Sequence, residues 1–174
     1  MKKLLSILLL SFFIVGSVFA DKAYDYFQKG DYKSAVREWT KLANQGEAIA
    51  QYNLGVQYAN GRGVAKDYKQ AYKWYLKSAN QGYSSAQNNL GNLYSSGRGV
   101  TKDYKQANSW YKKAANQGND IAQYNLANHY EYARGFIKIN YPEAKYWYRK
   151  SADQGYMKAE YKMGFVYENG YGVP

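Results

Sequence analysis

Ala50-Gln-Tyr-Asn-Leu-Gly55, Ala86-Gln-Asn-Asn-Leu-Gly91, Ala122-Gln-Tyr-Asn-Leu-Ala127 and Ala159-Glu-Tyr-Lys-Met-Gly164 are four copies of one pattern. The first three begin 36 residues apart and the last follows after 37. That period holds two short helices and their connections but no independent domain. It predicts an all-α solenoid, in which each repeat leaves apolar surface that only its neighbour covers, and which offers a long surface in place of a deep catalytic pocket.

Helix-ending glycines divide the chain into repeats at 21–46 (partial), 47–82, 83–118, 119–155 and 156–174 (partial). The first two full repeats agree at 23 of 36 positions, a mark of recent duplication. Each reads as helix A, loop, helix B. In helix A, expected over about 47–59, Ala50, Leu54 and Tyr58 stand four apart on one face. Glycine recurs mid-helix at 55, 91 and 164, with Ala127 in the same register. Glycine there costs about 1 kcal/mol against alanine, so its reuse predicts that another backbone passes too close for a larger side chain. Helix B is expected to start at Asp31, Asp67, Asp103 and Asn140, whose side-chain oxygens can accept from first-turn N–H groups. It ends at Gly46, Gly82, Gly118 and Gly155 in the left-handed conformation. Gly61-Arg-Gly-Val64, Gly97-Arg-Gly-Val100, Ala133-Arg-Gly-Phe136 and Gly170-Tyr-Gly-Val173 are then turns, not phosphate cradles, since no Gly-Lys-Ser/Thr or dinucleotide spacing accompanies them. Ala133 and an apparent insertion at Ile139 set the third full repeat apart.

Ala-Gln-Tyr-Asn-Leu-Gly, Tyr-x-x-Gly-Arg-Gly-Val, Lys-Asp-Tyr-x-x-Ala, Trp-Tyr-x-x-Ala and Asn-Gln-Gly, recurring in that order, resemble the Sel-one-like repeat (SLR) family, relatives of the tetratricopeptide repeat. The resemblance covers essentially all of 21–174. It implies a right-handed α/α superhelical solenoid of helix-turn-helix repeats that acts as an adaptor or scaffold in protein complexes.

Ahead of the repeats stand Met1-Lys-Lys, an apolar run from Leu4 to Val15, and Gly16-Ser-Val-Phe-Ala20. These are the three parts of a secretory signal peptide, with cleavage expected after Ala20 and a periplasmic or secreted product. The run is shorter than the roughly 20 residues of a membrane span, so no transmembrane segment is expected after cleavage. Cleavage would leave 22 basic and 13 acidic side chains, a net charge of +9, which favours an acidic partner. Export argues against nucleic acid. The absence of cysteine removes disulfides and thiolate chemistry.

His129 is the only histidine, which excludes multi-histidine metal sites. Its register is shared by Gln57, Leu93 and Val166, a variability that suits a ligand-facing or solvated residue better than a catalyst. Ser109-Trp-Tyr-Lys112 has the Ser-x-x-Lys spacing of β-lactamase-like hydrolases, which some cysteine-rich relatives resemble, but no Ser-Asp-Asn or Lys-Thr-Gly accompanies it. No catalytic residue, cofactor site or metal site is therefore assigned.

Basic ladders recur at Lys33/Lys69/Lys105, Lys41/Lys77/Lys113/Lys150 and Arg62/Arg98/Arg134. They form either a solvated face or a surface that steers an acidic partner. On helix A, away from the apolar stripe, stand Tyr52, Asn53 and Val56, then Asn88, Asn89 and Asn92, then Tyr124, Asn125, Asn128 and His129. In tetratricopeptide-like stacks helix A lines the concave groove, and asparagine amides and tyrosine rings suit an extended peptide. The alternative is that Asn53, Asn89 and Asn125 bridge adjacent repeats.

The expected function is an exported, non-enzymatic module that binds a protein or peptide, an immunity or inhibitor role being one form. A binder of envelope glycan such as peptidoglycan is the alternative, and a β-lactamase-like hydrolase a weaker one. After Tyr156–Tyr167 and Gly170-Tyr-Gly-Val-Pro174 no further helix B follows. The expectation is either a longer array or a C-terminal edge that docks another molecule.

Overall fold

The computed structural model describes residues 22–136 and 138–168. The expected signal peptide, its cleavage site and the loop at 170–174 lie outside them. Every regular element among the described residues is a helix: α1 (22–28), α2 (Tyr32–Asn44), α3 (Ala48–Asn60), α4 (Tyr68–Asn80), α5 (Ser84–Ser96), α6 (Tyr104–Asn116), α7 (Asp120–Glu131), α8 (Tyr141–Ala152) and α9 (Met157–Glu168). From α2 onward, helices B and A alternate as the 36-residue period requires. The chain divides into two compact units between Ser78 and Ala79.

The local signals act as expected. Asp31, Asp67, Asp103 and Asn140 each accept first-turn N–H groups, for instance Asp103 from Lys105 and Gln106 at 2.8 and 3.0 Å. Helices α3 and α5 end on Gly61 and Gly97, both left-handed at φ near 72°. In the third full repeat Ala133 takes the same turn with φ of 52°, a region that costs an L-residue with a Cβ roughly 1–2 kcal/mol.

In the first unit, Ala35, Trp39, Leu42, Ala50 and Leu54 form the core, with Phe27, Tyr58 and Val64 packed against it. The second unit repeats the arrangement around Ala107, Tyr111, Leu126, Ala144 and Tyr148. The mid-helix glycines face a different neighbour from the one expected. A Cβ on Gly55 would lie 2.6 Å from Tyr75 Cδ1, and one on Gly91 2.5 Å from Tyr111 Cδ1. The close approach is therefore made by the tyrosine ring of the following helix B, not by backbone.

The conserved-looking glutamine of the repeat pattern is also explained. Gln51, Gln87 and Gln123 are buried and donate from Nε2 to the carbonyls of Ala43, Ala79 and Ala115 at 3.1–3.2 Å. Those carbonyls lie at the end of the preceding helix B and also accept from the N–H groups of Gly46, Gly82 and Gly118 at 3.0–3.2 Å, so the glutamine adds a second donor to each. Each helix A thus closes the end of the helix before it.

Candidate functional site

The second unit carries a polar face on helices α5 and α7. Asn125 Nδ2 donates to Asn88 Oδ1 at 2.9 Å and, more distantly, to Asn92 Oδ1 at 3.4 Å. Tyr111 reaches from α6 to donate its hydroxyl to Asn92 Oδ1 at 2.8 Å. Asn88, which is buried, donates in turn to Asn89 Oδ1 at 3.4 Å. Asn125 thus does bridge neighbouring repeats, while Asn92 is exposed with its oxygen engaged. Asn128 is half-buried and accepts from Arg134 Nη1 at 3.2 Å. Tyr124 lies between Tyr148 and Tyr156, with centroids 5.5 and 5.3 Å away. In the first unit Tyr52 rests against Tyr75 at 5.9 Å, and Asn53 and Val56 are half-buried.

His129 is not on that face. It is 3 % exposed, edge-on to the rings of Tyr104 and Tyr111. Its Nδ1 lies 2.5 Å from Asn108 Oδ1, an acceptor, so Nδ1 carries the proton and Nε2 accepts from the Ser95 hydroxyl at 3.1 Å. Asn108 is itself fixed by donating to the Arg134 carbonyl at 2.7 Å. Burial, with a smaller contribution from the Arg134 charge, pulls the imidazole down to about 4. His129 is a neutral strut of the core. The expectation of a ligand-facing or solvated residue fails because the variable register it occupies is interior: Gln57, Leu93 and Val166 are buried too.

Three of the helix-B lysines are stacked on aromatic rings. Lys77 sits over Trp74 at 4.3 Å, Lys113 over Trp110 at 4.1 Å and Lys150 over Tyr146 at 5.1 Å. Each covers a ring while its ammonium stays exposed. Ser109 and Lys112 both stand exposed on α6. Among the described residues no group of three His, Cys, Asp or Glu could hold a metal ion.

A second cluster joins α7, α8 and α9. Glu131 receives Lys162 Nζ at 2.9 and 3.0 Å and the Tyr148 hydroxyl at 2.5 Å. The two charged side chains are only 18 % and 11 % exposed. Burial works against the Lys162 charge, but the hydrogen bonds to Glu131 and Tyr132 outweigh it and raise its pKa. Burial and the bond to Glu131 push the Tyr148 hydroxyl up. Around this anchor Tyr132, Tyr161 and Phe165 are 52 %, 77 % and 41 % exposed.

The Sel1 repeat family model matches residues 48–83, 84–119, 120–156 and 158–174. The chain belongs to the Sel1 repeat family. Proteins built of Sel1 repeats are generally scaffolds for protein interaction. A protective antigen of uropathogenic Escherichia coli with an SLR fold is 36 % identical with a TM-score of 0.86, over 91 % of this chain and 34 % of its own. A Sel1 repeat protein from Oxalobacter formigenes is 34 % identical with a TM-score of 0.81, over 89 % of this chain and 63 % of its own. This Sel1 repeat chain therefore spans about a third of the first relative and less than two thirds of the second. A Klebsiella pneumoniae Sel1 repeat protein, 21 % identical with a TM-score of 0.56 over 87 % of this chain and 77 % of its own, shares the fold. No curated protein matches the sequence. No helix among the described residues is long and apolar enough to cross a membrane.

Sequence reasoning passed over the Glu131–Lys162 anchor and the rings around it. The signal lay in the last Sel1 repeat, where Lys162 replaces the recurring asparagine and Phe165 stands in the register of Asn92 and Asn128.

Proposed function

We propose that this chain is an exported, non-enzymatic interaction module that holds an acidic protein or peptide on the helix-A face of its repeats, with immunity or inhibition as one form of that binding. The observation that carries the reading is the ladder Tyr111–Asn92–Asn125–Asn88. It fixes the exposed Asn92 amide in one orientation, so a partner's carbonyls meet donors that have already lost their freedom. The excess of basic side chains adds attraction for an acidic partner. Export rests on the Lys2-Lys3, apolar-run and Ala20 pattern. Mass spectrometry of the mature protein is expected to place its first residue at Asp21.

The deciding experiment is capture from a periplasmic extract on the purified chain. A single stoichiometric acidic protein is expected. Asn92→Asp keeps the acceptor that Tyr111 and Asn125 need but presents a carboxylate, so it is expected to weaken that partner without lowering the melting temperature. The exposed ring of Tyr161 supports the glycan alternative, because an open aromatic face can stack on sugars. Retention of peptidoglycan fragments in place of any protein would favour it.

A further inference from the structure

The basic side chains are sorted by helix. Helices α3, α5 and α7 hold no lysine or arginine. Helix α4, in the first unit, holds Lys69, Lys73 and Lys77 and no acidic residue; α6, in the second, holds Lys105, Lys112 and Lys113 and again no acid. All six lysines are exposed. At 3.6 residues per turn they share one side of their helix, opposite the buried Ala71, Tyr75 and Ser78 of α4 and the buried Ala107, Tyr111 and Ala114 of α6. Each unit therefore turns its helix-B lysines away from its own core.

The arrangement works against the isolated fold. Lys69, Lys73 and Lys77 follow one another at four-residue steps, so like charges stand about 6 Å apart and destabilise the helix. The nearest carboxylates in sequence, Asp67 and Asp103, are directed to first-turn N–H groups at the helix starts. An external layer of anions relieves that repulsion.

We infer that the helix-B face of each unit docks on anionic phospholipid headgroups. Two features favour lipid over an acidic protein. Every cation on α4 and α6 is lysine, a mobile point charge, whereas fixed carboxylates are best met by the two-pronged guanidinium of arginine. A fluid layer of phosphates offers no fixed geometry to match, so point charges suffice. Beneath the lysines lie indoles: Lys77 is over Trp74 at 4.3 Å and Lys113 over Trp110 at 4.1 Å, both rings half-buried. An amphipathic ring with an ammonium reaching past it suits the headgroup level of a bilayer. The inference does not depend on the helix-A reading, since the two faces belong to different helices and the lipid contact leaves the helix-A face open.

The test is co-sedimentation of the protein, as the cell processes it, with vesicles of phosphatidylcholine alone or of an equal mixture with phosphatidylglycerol. Retention is expected on the mixed vesicles only. It should be lost between about 0.1 and 1 M salt, where the screening length shrinks from about 10 to about 3 Å. Lys69→Gln with Lys73→Gln should weaken it about twenty-five-fold, at about fivefold for each lysine at a charged membrane surface. Lys22→Gln with Lys158→Gln removes the same charge from exposed positions outside α4 and α6 and should leave retention near that of the parent, as should Asn92→Asp. All these positions are exposed, so melting temperatures should stay with the parent. Equal retention on phosphatidylcholine, no retention on the mixed vesicles, or equal losses from the two lysine pairs would overturn the inference. Salt-sensitive binding of polyglutamate without vesicle retention would also overturn it, by assigning the face to an acidic polypeptide.

Discussion

Gly91 and Gly164 occupy the same register on helices A two repeats apart, yet added bulk should have opposite effects at the two positions. At Gly91 an added Cβ would lie 2.5 Å from Tyr111 Cδ1, about an ångström inside ordinary contact. Tyr111 is 3 % exposed, braced by the His129 ring at 5.2 Å and by its bond to Asn92. Its ring cannot yield without disturbing both. Overpacking of this kind costs about 1–3 kcal/mol, and loss of the Tyr111–Asn92 hydrogen bond about 1 kcal/mol more. Replacing a mid-helix glycine returns about 1 kcal/mol of helix propensity. Gly91→Leu should therefore destabilise the chain by about 1–3 kcal/mol, lowering the melting temperature by roughly 2–4 °C per kcal/mol for a chain of this size. Gly164→Ala meets no neighbour and should gain up to about 1 kcal/mol. Thermal unfolding followed by helical circular dichroism reads both. A Gly91→Leu protein that melts with or above the parent would refute the tyrosine-over-glycine account.

His129 should make stability depend on pH. Its folded pKa of about 4 lies below the ordinary 6.5, so the neutral form is favoured by folding. Stability is complete above the ordinary value and falls as pH drops from about 6.5 towards 4, by up to about 1.4 kcal/mol for each pH unit. Denaturant melts of the parent and His129→Gln should diverge across that window, and parallel curves would count against a buried neutral imidazole. Ala133→Gly relieves the left-handed turn at φ of 52° and should stabilise by about 1 kcal/mol, read as a higher denaturant midpoint; a lower midpoint would show that the turn is not strained. Lys162→Met leaves the Glu131 carboxylate mostly buried without its cation, at a cost of about 2–4 kcal/mol. Faster hydrogen exchange in α9 should report it, and unchanged protection would show the ion pair to be incidental.

Helix caps and turns were legible because each depends on a few neighbouring residues. Asp103 caps its helix whatever the rest of the chain does. Partners across helices were less legible. The recurrent glycine marked a tight spot without saying that a tyrosine ring fills it. Chemical variety at the His129 register looked like surface, although Leu93 and Val166 in the same register argued for the interior. His129 is tolerated inside only because Ser95 and Asn108 arrive from other helices to satisfy its two nitrogens. That coincidence has no sequence period. The lysine ladders were visible as spacing, whereas the rings beneath them are set by side-chain direction. At the polar face, periodicity found Asn92 and Asn125 but could not separate the exposed amide from the bridging one.

The bonds from Gln51, Gln87 and Gln123 to the helix ends before them bear on how such a chain grows. Donor and acceptor lie eight residues apart within each junction, so a copied 36-residue segment brings its own junction contact. Unequal recombination within the gene can lengthen or shorten the array by whole repeats without first finding compensating substitutions. The 23 identities between neighbouring copies are the trace such an event would leave before drift erases it.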